Sequence, residues 1–171
     1  MIQAAGLLVY RKAAQAAQAA AGYEVLLVHP GGPFWANKDV WSIPKGELED
    51  GEMPLQAMER EFREEIGIAA PRNNLISLGD MKQGSKVNHI WAAEGDIDLT
   101  QVHCDSMVTM EWPPRSGKTI EFPENDRAKW MELPVAREKV YGYLAVFIER
   151  LAEHLHVGLA EIIEPTNSTL F

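Results

Sequence analysis

Four glutamates frame the chemistry of this chain. Glu52, Glu61, Glu64 and Glu65 lie in GELEDGEMPLQAMEREFREEIGI, Gly46–Ile68, a segment with eight carboxylates in twenty-three residues. If the stretch from about Pro54 to Ile66 is helical, a turn of roughly 100° per residue puts Glu61, Glu64 and Glu65 within an arc of about 100°. Like charges at these spacings repel each other and weaken a helix. Arg60 and Arg63 are interleaved with them, but both project largely away from Glu65. Neither is placed to offset the repulsion. A solvated acidic face is one answer; a bound divalent cation is the other. Closely spaced hard oxygen ligands suit magnesium or manganese. The segment has no Asp-rich twelve-residue loop of the calcium-cage type.

The flanks favour the cation. Glu52 stands nine residues before Glu61, just ahead of the helix, where a loop can fold it toward the same ion. Gly46 stands six residues earlier still, where a side chain would obstruct close backbone approach. Gly46, Glu52, then Arg60-Glu61-Phe62-Arg63-Glu64-Glu65-Ile66-Gly67-Ile68 matches, at every specified position, the signature of the Nudix hydrolases, which the chain therefore resembles. The motif covers about an eighth of the chain. A leading hairpin, Trp41-x-x-Pro44-Lys45-Gly46, later strands and a closing helix extend the resemblance over most of it. WPPRSGKTIEFPENDRAKW, beginning at Trp112, is similar to a bacterial subgroup of predicted NTP pyrophosphohydrolases.

The resemblance implies an α/β/α sandwich on a mixed β-sheet. It also implies magnesium-dependent hydrolysis of a pyrophosphate bond by a metal-activated water, with manganese as a possible substitute. Glu61, Glu64 and Glu65 become metal ligands, Glu52 a further or water-mediated one, and Gly46 the donor of a backbone carbonyl. Arg60 becomes the residue that orients a catalytic glutamate through a charge-assisted hydrogen bond. In the family the general base varies between the signature helix, where Glu64 is the candidate, and a later loop. Glu124 resembles the later-loop position, with Glu121 as its runner-up; for either, a plain surface carboxylate is the competing reading. Lys45 would sit beside the phosphates, or be an exposed loop lysine. Phe34, Trp35 and Trp112 lie in or next to expected loops and are either base platforms or partial core. Arg115 and Lys118 meet distal phosphates or are solvated. The five histidines show no zinc-ligand spacing and receive no role. The substrates in view are nucleoside triphosphates and dinucleoside polyphosphates such as diadenosine tetraphosphate, with ADP-ribose or a nucleotide sugar as alternatives. The rival from another class is a non-catalytic Nudix module that binds a nucleotide or RNA.

Ordinary elements must position these groups. Gln3–Tyr10 and Tyr23–Pro30, rich in Leu and Val, read as strands joined through RKAAQAAQAAAG, a tolerated surface insertion. HPGGPFWANKD, His29–Asp39, reads as a loop. VWSIPKG reads as a short extended piece. The helix from Pro54 has a proline suited to its first turn, a poor N-cap in Met53, a buried stripe of Leu55, Met58, Phe62 and Ile66, and a left-handed stop at Gly67. NLISLGDMKQ, KVNHIWAAEGDI, MVTMEW and RAKWMEL read as strands, with Pro113 and Pro114 ending the third. A helix near Pro134 and another with Leu144, Phe147, Ile148, Leu151 and Leu155 on one face close the fold.

Composition bounds the rest. A chain of 171 residues holds one domain, expected over 1–160, with residues 161–171 as a loosely ordered tail. A net charge of −9 argues against broad nucleic-acid or anionic-membrane binding, though not against a small anionic substrate held through a cation. The single Cys104 cannot form an internal disulfide. No apolar run reaches membrane-spanning length and the N-terminus lacks a basic leader, so a cytoplasmic monomer or homodimer with a small nucleotide substrate is expected.

Overall fold

The structure is a computed structural model and describes residues 1–14 and 21–159. Residues 15–20 of the expected insertion, half of it, and the whole of the expected tail lie outside the described residues.

Strand β1 (Ile2–Lys12) is the spine. Its residues are buried on both faces, which is why AAGLLVY reads as a continuous apolar run and not an alternating one. On one face Ala5, Leu7 and Val9 meet helix α1 (Pro54–Ile66) through Ala57, Met58, Phe62 and Ile66. On the other, Leu8 and Tyr10 join Phe147, Ile148 and Leu151 of α3 (Ala145–His154), together with α2 (Leu133–Lys139). Helices thus cover both faces of a six-stranded sheet, an α/β/α sandwich.

The sheet runs β4 (Asn73–Gln83), β5 (Lys86–Glu94), β1, β2 (Tyr23–Pro30), β8 (Asn125–Glu132), with β3 (Lys45–Glu47) also paired to β1. Only β1 and β5 are parallel, so the sheet is mixed. β1 pairs with β2 only at its C-terminal end, Tyr10–Lys12. Its other half, Ala4–Gly6, pairs with β3. The segment Ser42–Glu47 therefore occupies the gap where β1 and β2 splay apart, with Val28 bridged to Ser42 on the β2 side. This gap brings Lys45 and Gly46 to the α1 face.

The first helix has the expected bounds. Gly67 takes the left-handed conformation (φ 77°) and its N–H donates to Arg63 O at 2.8 Å. Met53 is the N-cap position, and the missing hydroxyl is offset by Gln56, whose Oε1 accepts from Met53 N at 3.0 Å. One element differs from expectation. Beyond β6 (Met107–Glu111), the chain forms β7 (Thr119–Pro123), and the two make a separate antiparallel hairpin. The prolines at 113 and 114 end β6 as expected but sit in the turn of a hairpin that the sequence reading did not close.

Candidate active site

Arg60 organises the acidic segment. Its Nε and Nη2 each donate to the Glu52 carboxylate at 2.9 Å. Its Nη1 donates to Glu61 at 2.7 Å and, more weakly, to Glu64 at 3.4 Å, while Nη2 also donates to Glu47 O in β3 at 2.9 Å. Arg60 thus hydrogen-bonds three of the four glutamates, which corrects the expectation that neither arginine is placed to offset the repulsion. A helical projection does not show this, because side chains lean toward the helix N-terminus and the preceding loop folds Glu52 back to meet them. The mutual charge holds the Glu52 carboxyl below its ordinary range and the Arg60 guanidinium above its own.

Glu61 and Glu65 face inward. Glu61 is 7% exposed and Glu65 3%. Burial pushes the Glu61 carboxyl up against the opposing pull of Arg60. Glu65 is pushed up to about 8, first by burial and then by the charge of Glu124. It is steadied by Asn125, whose Nδ2 donates to Glu65 at 2.7 Å. Gly46 answers to close approach: a Cβ there would fall on the Glu61 carboxylate.

Glu124 closes the group from the start of β8. Its charge acts on both Glu61 and Glu65. Its carboxylate accepts from Ser106 Oγ at 2.6 Å, and its backbone N–H donates to Ser106 O at 2.8 Å. Glu121, the runner-up, is exposed on β7, on the face opposite Phe122. Strand alternation thus brings Glu124 to the cleft and leaves Glu121 outside it.

Beside Glu124 lies a cavity of about 370 Å³, lined by Gly32, Phe34, Trp35, Val108, Met110 and Phe122 among others. Its roof is the inner face of the β6–β7 hairpin. Its wall is the loop of residues 31–39 that follows β2, where Trp35 meets Phe34 and Tyr141 edge to face at 4.9 and 5.3 Å. The fully buried His29 pins this loop: Nδ1 lies 2.7 Å from Asp126 and Nε2 lies 2.6 Å from Lys38 O. The sequence reading gave His29 no role; its function is to anchor the wall, which no metal-ligand spacing could reveal.

The remaining expected residues divide cleanly. Glu64 is 44% exposed on the outer side of the cluster and touches Arg60. Lys45 is the cation whose charge acts on Glu65, with Nζ 5.9 Å from the Tyr143 ring. Trp35 and Phe34 line the cavity; Trp112 does not. Arg115 and Lys118 lie in or beside the hairpin turn, about five strand residues from Glu124, so roughly 16 Å along the strand. The structure does not bring either to the carboxylates. Ser106, Asn125, Phe122 and Met110 were missed, because each enters through pairing between segments distant in sequence.

Among the described residues, no three His, Cys, Asp or Glu side chains form a ready-made metal cage. The donor chemistry still fits a hard dication. Glu61 and Glu65 are buried carboxylates whose charged forms are disfavoured, and Gly46 leaves its backbone open to the same point.

The NUDIX domain family model matches residues 4–151. The chain belongs to the Nudix family. Among curated Nudix relatives, it is 24% identical over 153 residues to Nudix hydrolase 7 of Arabidopsis thaliana, covering 85% of this chain and 49% of that protein. It is 47% identical over 47 residues to an RNA pyrophosphohydrolase of Francisella tularensis, covering 26% of this chain and 30% of that protein. The chain thus spans half or less of the length of these relatives. Its Nudix fold superposes on a Caenorhabditis elegans Ap4A hydrolase binary complex with TM-score 0.60 and 23% identity, covering 91% of this chain and 98% of that one. It also superposes on the NUDIX domain of Shewanella oneidensis NrtR complexed with ADP ribose, with TM-score 0.59 and 17% identity, covering 91% and 88%. These likenesses establish the fold. Among the described residues no helix is long and apolar enough to cross a membrane.

Proposed function

We propose that this Nudix protein is a pyrophosphohydrolase acting on a nucleoside polyphosphate, a triphosphate or a dinucleoside polyphosphate, with magnesium as its metal and manganese as a substitute. One observation carries the reading: Glu124 lines an aromatic-walled cavity, and its charge acts on the buried carboxylates of Glu61 and Glu65. A family of pyrophosphate hydrolases and relatives named for that reaction support it.

Glu61, Glu64 and Glu65, with Glu52 and the Gly46 carbonyl, would hold the cation. When bound, it supplies charge neutralisation to the anhydride oxygens and Lewis acidity toward the attacking water. Arg60 keeps Glu52 and Glu61 fixed in advance, so little reorganisation is needed at the reacting centre. Lys45 brings positive charge to the phosphates from the β3 side. The nucleobase stacks against Phe34, Trp35 and Phe122, which orients the anhydride toward Glu124. Glu124, one oxygen held by Ser106, accepts the proton from water as it attacks phosphorus, while the P–O anhydride bond breaks and the second phosphate departs with its bridging oxygen.

The test is turnover. The protein is incubated with Mg²⁺ or Mn²⁺ and ATP, GTP, diadenosine tetraphosphate, ADP-ribose and 5′-triphosphate RNA, with products separated by chromatography. Cleavage of an anhydride bond, lost by about a hundredfold or more in Glu65→Gln and Glu124→Gln, supports the assignment. A folded protein that turns over none of these, yet binds one, is a binding module. Equal activity in Glu64→Gln and a collapse in Glu124→Gln would place the base on the loop.

A further inference from the structure

We propose that Ser106 is the positioning residue of the general base, and that its hydroxyl keeps the Glu124 carboxylate in the cleft. The inference rests on Glu124 being that base.

The backbone of Glu124 is fixed from both sides. Its N–H donates to Ser106 O at 2.8 Å, and its C=O accepts from Gly31 N at 2.8 Å. A fixed backbone does not fix a glutamate, which has three rotatable bonds and here faces two buried carboxylates. Left to itself, that side chain is free to sample rotamers that turn its carboxylate away from the cleft. The Ser106 Oγ bond to Oε2, at 2.6 Å and partly buried, is the contact that holds it. Such a hydroxyl-to-carboxylate bond lies in the short range of charge-assisted pairs. It engages one oxygen only. Among the described residues Oε1 has no recorded partner, so a lone pair remains for a water proton. Ser106 is itself braced, since its carbonyl also accepts from Cys104 Sγ at 3.4 Å.

Position in the fold gives the pair a second property. Ser106 immediately precedes β6 and Glu124 immediately follows β7. The same two residues therefore clasp the root of the hairpin that roofs the aromatic cavity. A purely structural staple is the competing role, and the kinetics separate the two. A staple would be shared by the backbone bonds, which Ser106→Ala retains, and its loss would raise KM by loosening the roof. A positioning hydroxyl would lower kcat and leave substrate affinity alone.

The experiment measures kcat, KM and Tm for the wild type, Ser106→Ala, Ser106→Thr, Glu124→Gln and the Ser106→Ala/Glu124→Gln pair, with Mg²⁺ and the best nucleotide substrate. Ser106→Ala is expected to lower kcat about tenfold or more with KM within about threefold. Ser106→Thr, which restores the hydroxyl, is expected to recover most of the rate. In the Glu124→Gln background the Ser106 change is expected to add almost nothing, because the two residues act as a unit. Wild-type kcat in Ser106→Ala, with Glu124→Gln inactive, overturns the role of Ser106 while the base assignment stands. Full activity in Glu124→Gln overturns the base assignment and this inference with it. An equal kcat loss from Ser106→Ala in both backgrounds shows that Ser106 acts elsewhere and overturns the inference alone.

Discussion

Replacing Gly46 by alanine adds one methyl group and no charge, yet it should disable the site. β3 is hydrogen-bonded to β1 in register, with Ala5 opposite Gly46. The strand cannot retreat, because Gly6 of β1 already sits against Pro44 and Lys45. The new Cβ would land on the Glu61 carboxylate, so the carboxylate must give way. Reaching ordinary van der Waals separation requires a shift of about 1 Å or more. That shift pulls Glu61 from Arg60 Nη1, now 2.7 Å away. A displacement of this size at a reacting centre costs on the order of 100-fold in rate, or about 2.7 kcal/mol of barrier. Stability should change little: the alanine lowers unfolded-chain entropy by about 0.4–1 kcal/mol, against a weakened, partly exposed ion pair of similar size. Gly142→Ala is the control, since nothing lies within 4 Å of its Cβ position. The assay is steady-state kinetics with Mg²⁺ beside thermal unfolding. Wild-type kcat in Gly46→Ala would refute the claim that the Glu61 position matters.

Three further outcomes follow from the same contacts. Arg60→Lys keeps a charge but cannot reach Glu52, Glu61 and Glu47 O together, so urea unfolding should show a loss of roughly 2 kcal/mol; no change would mean the network is ornamental. Glu65 titrates at about 8 in the folded chain against an ordinary 4.5, so the metal-free fold holds the extra proton between these values and loses stability as pH rises through that window. A cation must displace that proton, so the rise in Tm on adding Mg²⁺ should be larger above pH 8 than near pH 6; equal rises would contradict the placement of Glu65 among the ligands. Phe122→Ala should raise KM about tenfold for every nucleoside triphosphate alike, because stacking surfaces read a ring and not its identity; a loss confined to one base would show hydrogen-bond readout instead.

The sequence displayed the helix and concealed the cleft, for a physical reason. Pro54, the apolar stripe and Gly67 act within one element, and their spacing is enough to bound α1. The two-faced burial of β1 was likewise visible as a run of Leu and Val. The cavity is assembled from three segments, around residues 30–35, 108–110 and 122–124, which meet only when β6 pairs with β7. That pairing is hidden by a seven-residue connection containing two prolines, which locally reads as loop. Ser106 and Asn125 have ordinary spacing and no motif of their own. Their roles exist only because the hairpin root and the start of β8 are folded against α1. Arg115 lies at the tip of the same hairpin, away from the carboxylates.

The charges of the site divide into two groups, and the division explains how an acidic cleft folds before it binds a cation. Glu52, Glu61 and Glu64 share Arg60, a single guanidinium with enough donors to satisfy them and a strand carbonyl at once. Among the described residues Glu65 and Glu124 form no ion pair; each is hydrogen-bonded to a neutral donor, Asn125 or Ser106, and Lys45 acts on Glu65 only through its charge. The Glu65 carboxyl is raised first by its burial and then by the charge of Glu124, so the electrostatic cost of the site falls on this pair. On the proposed function, a dication entering here would gain most from Glu65 and Glu124 and would need to disturb Arg60 least. Were Arg60 shared equally over all five carboxylates, the apo fold would be more comfortable and the cation would bind less tightly. On the proposed function, that asymmetry leaves the electrostatic cost at the point where cation and anhydride would meet.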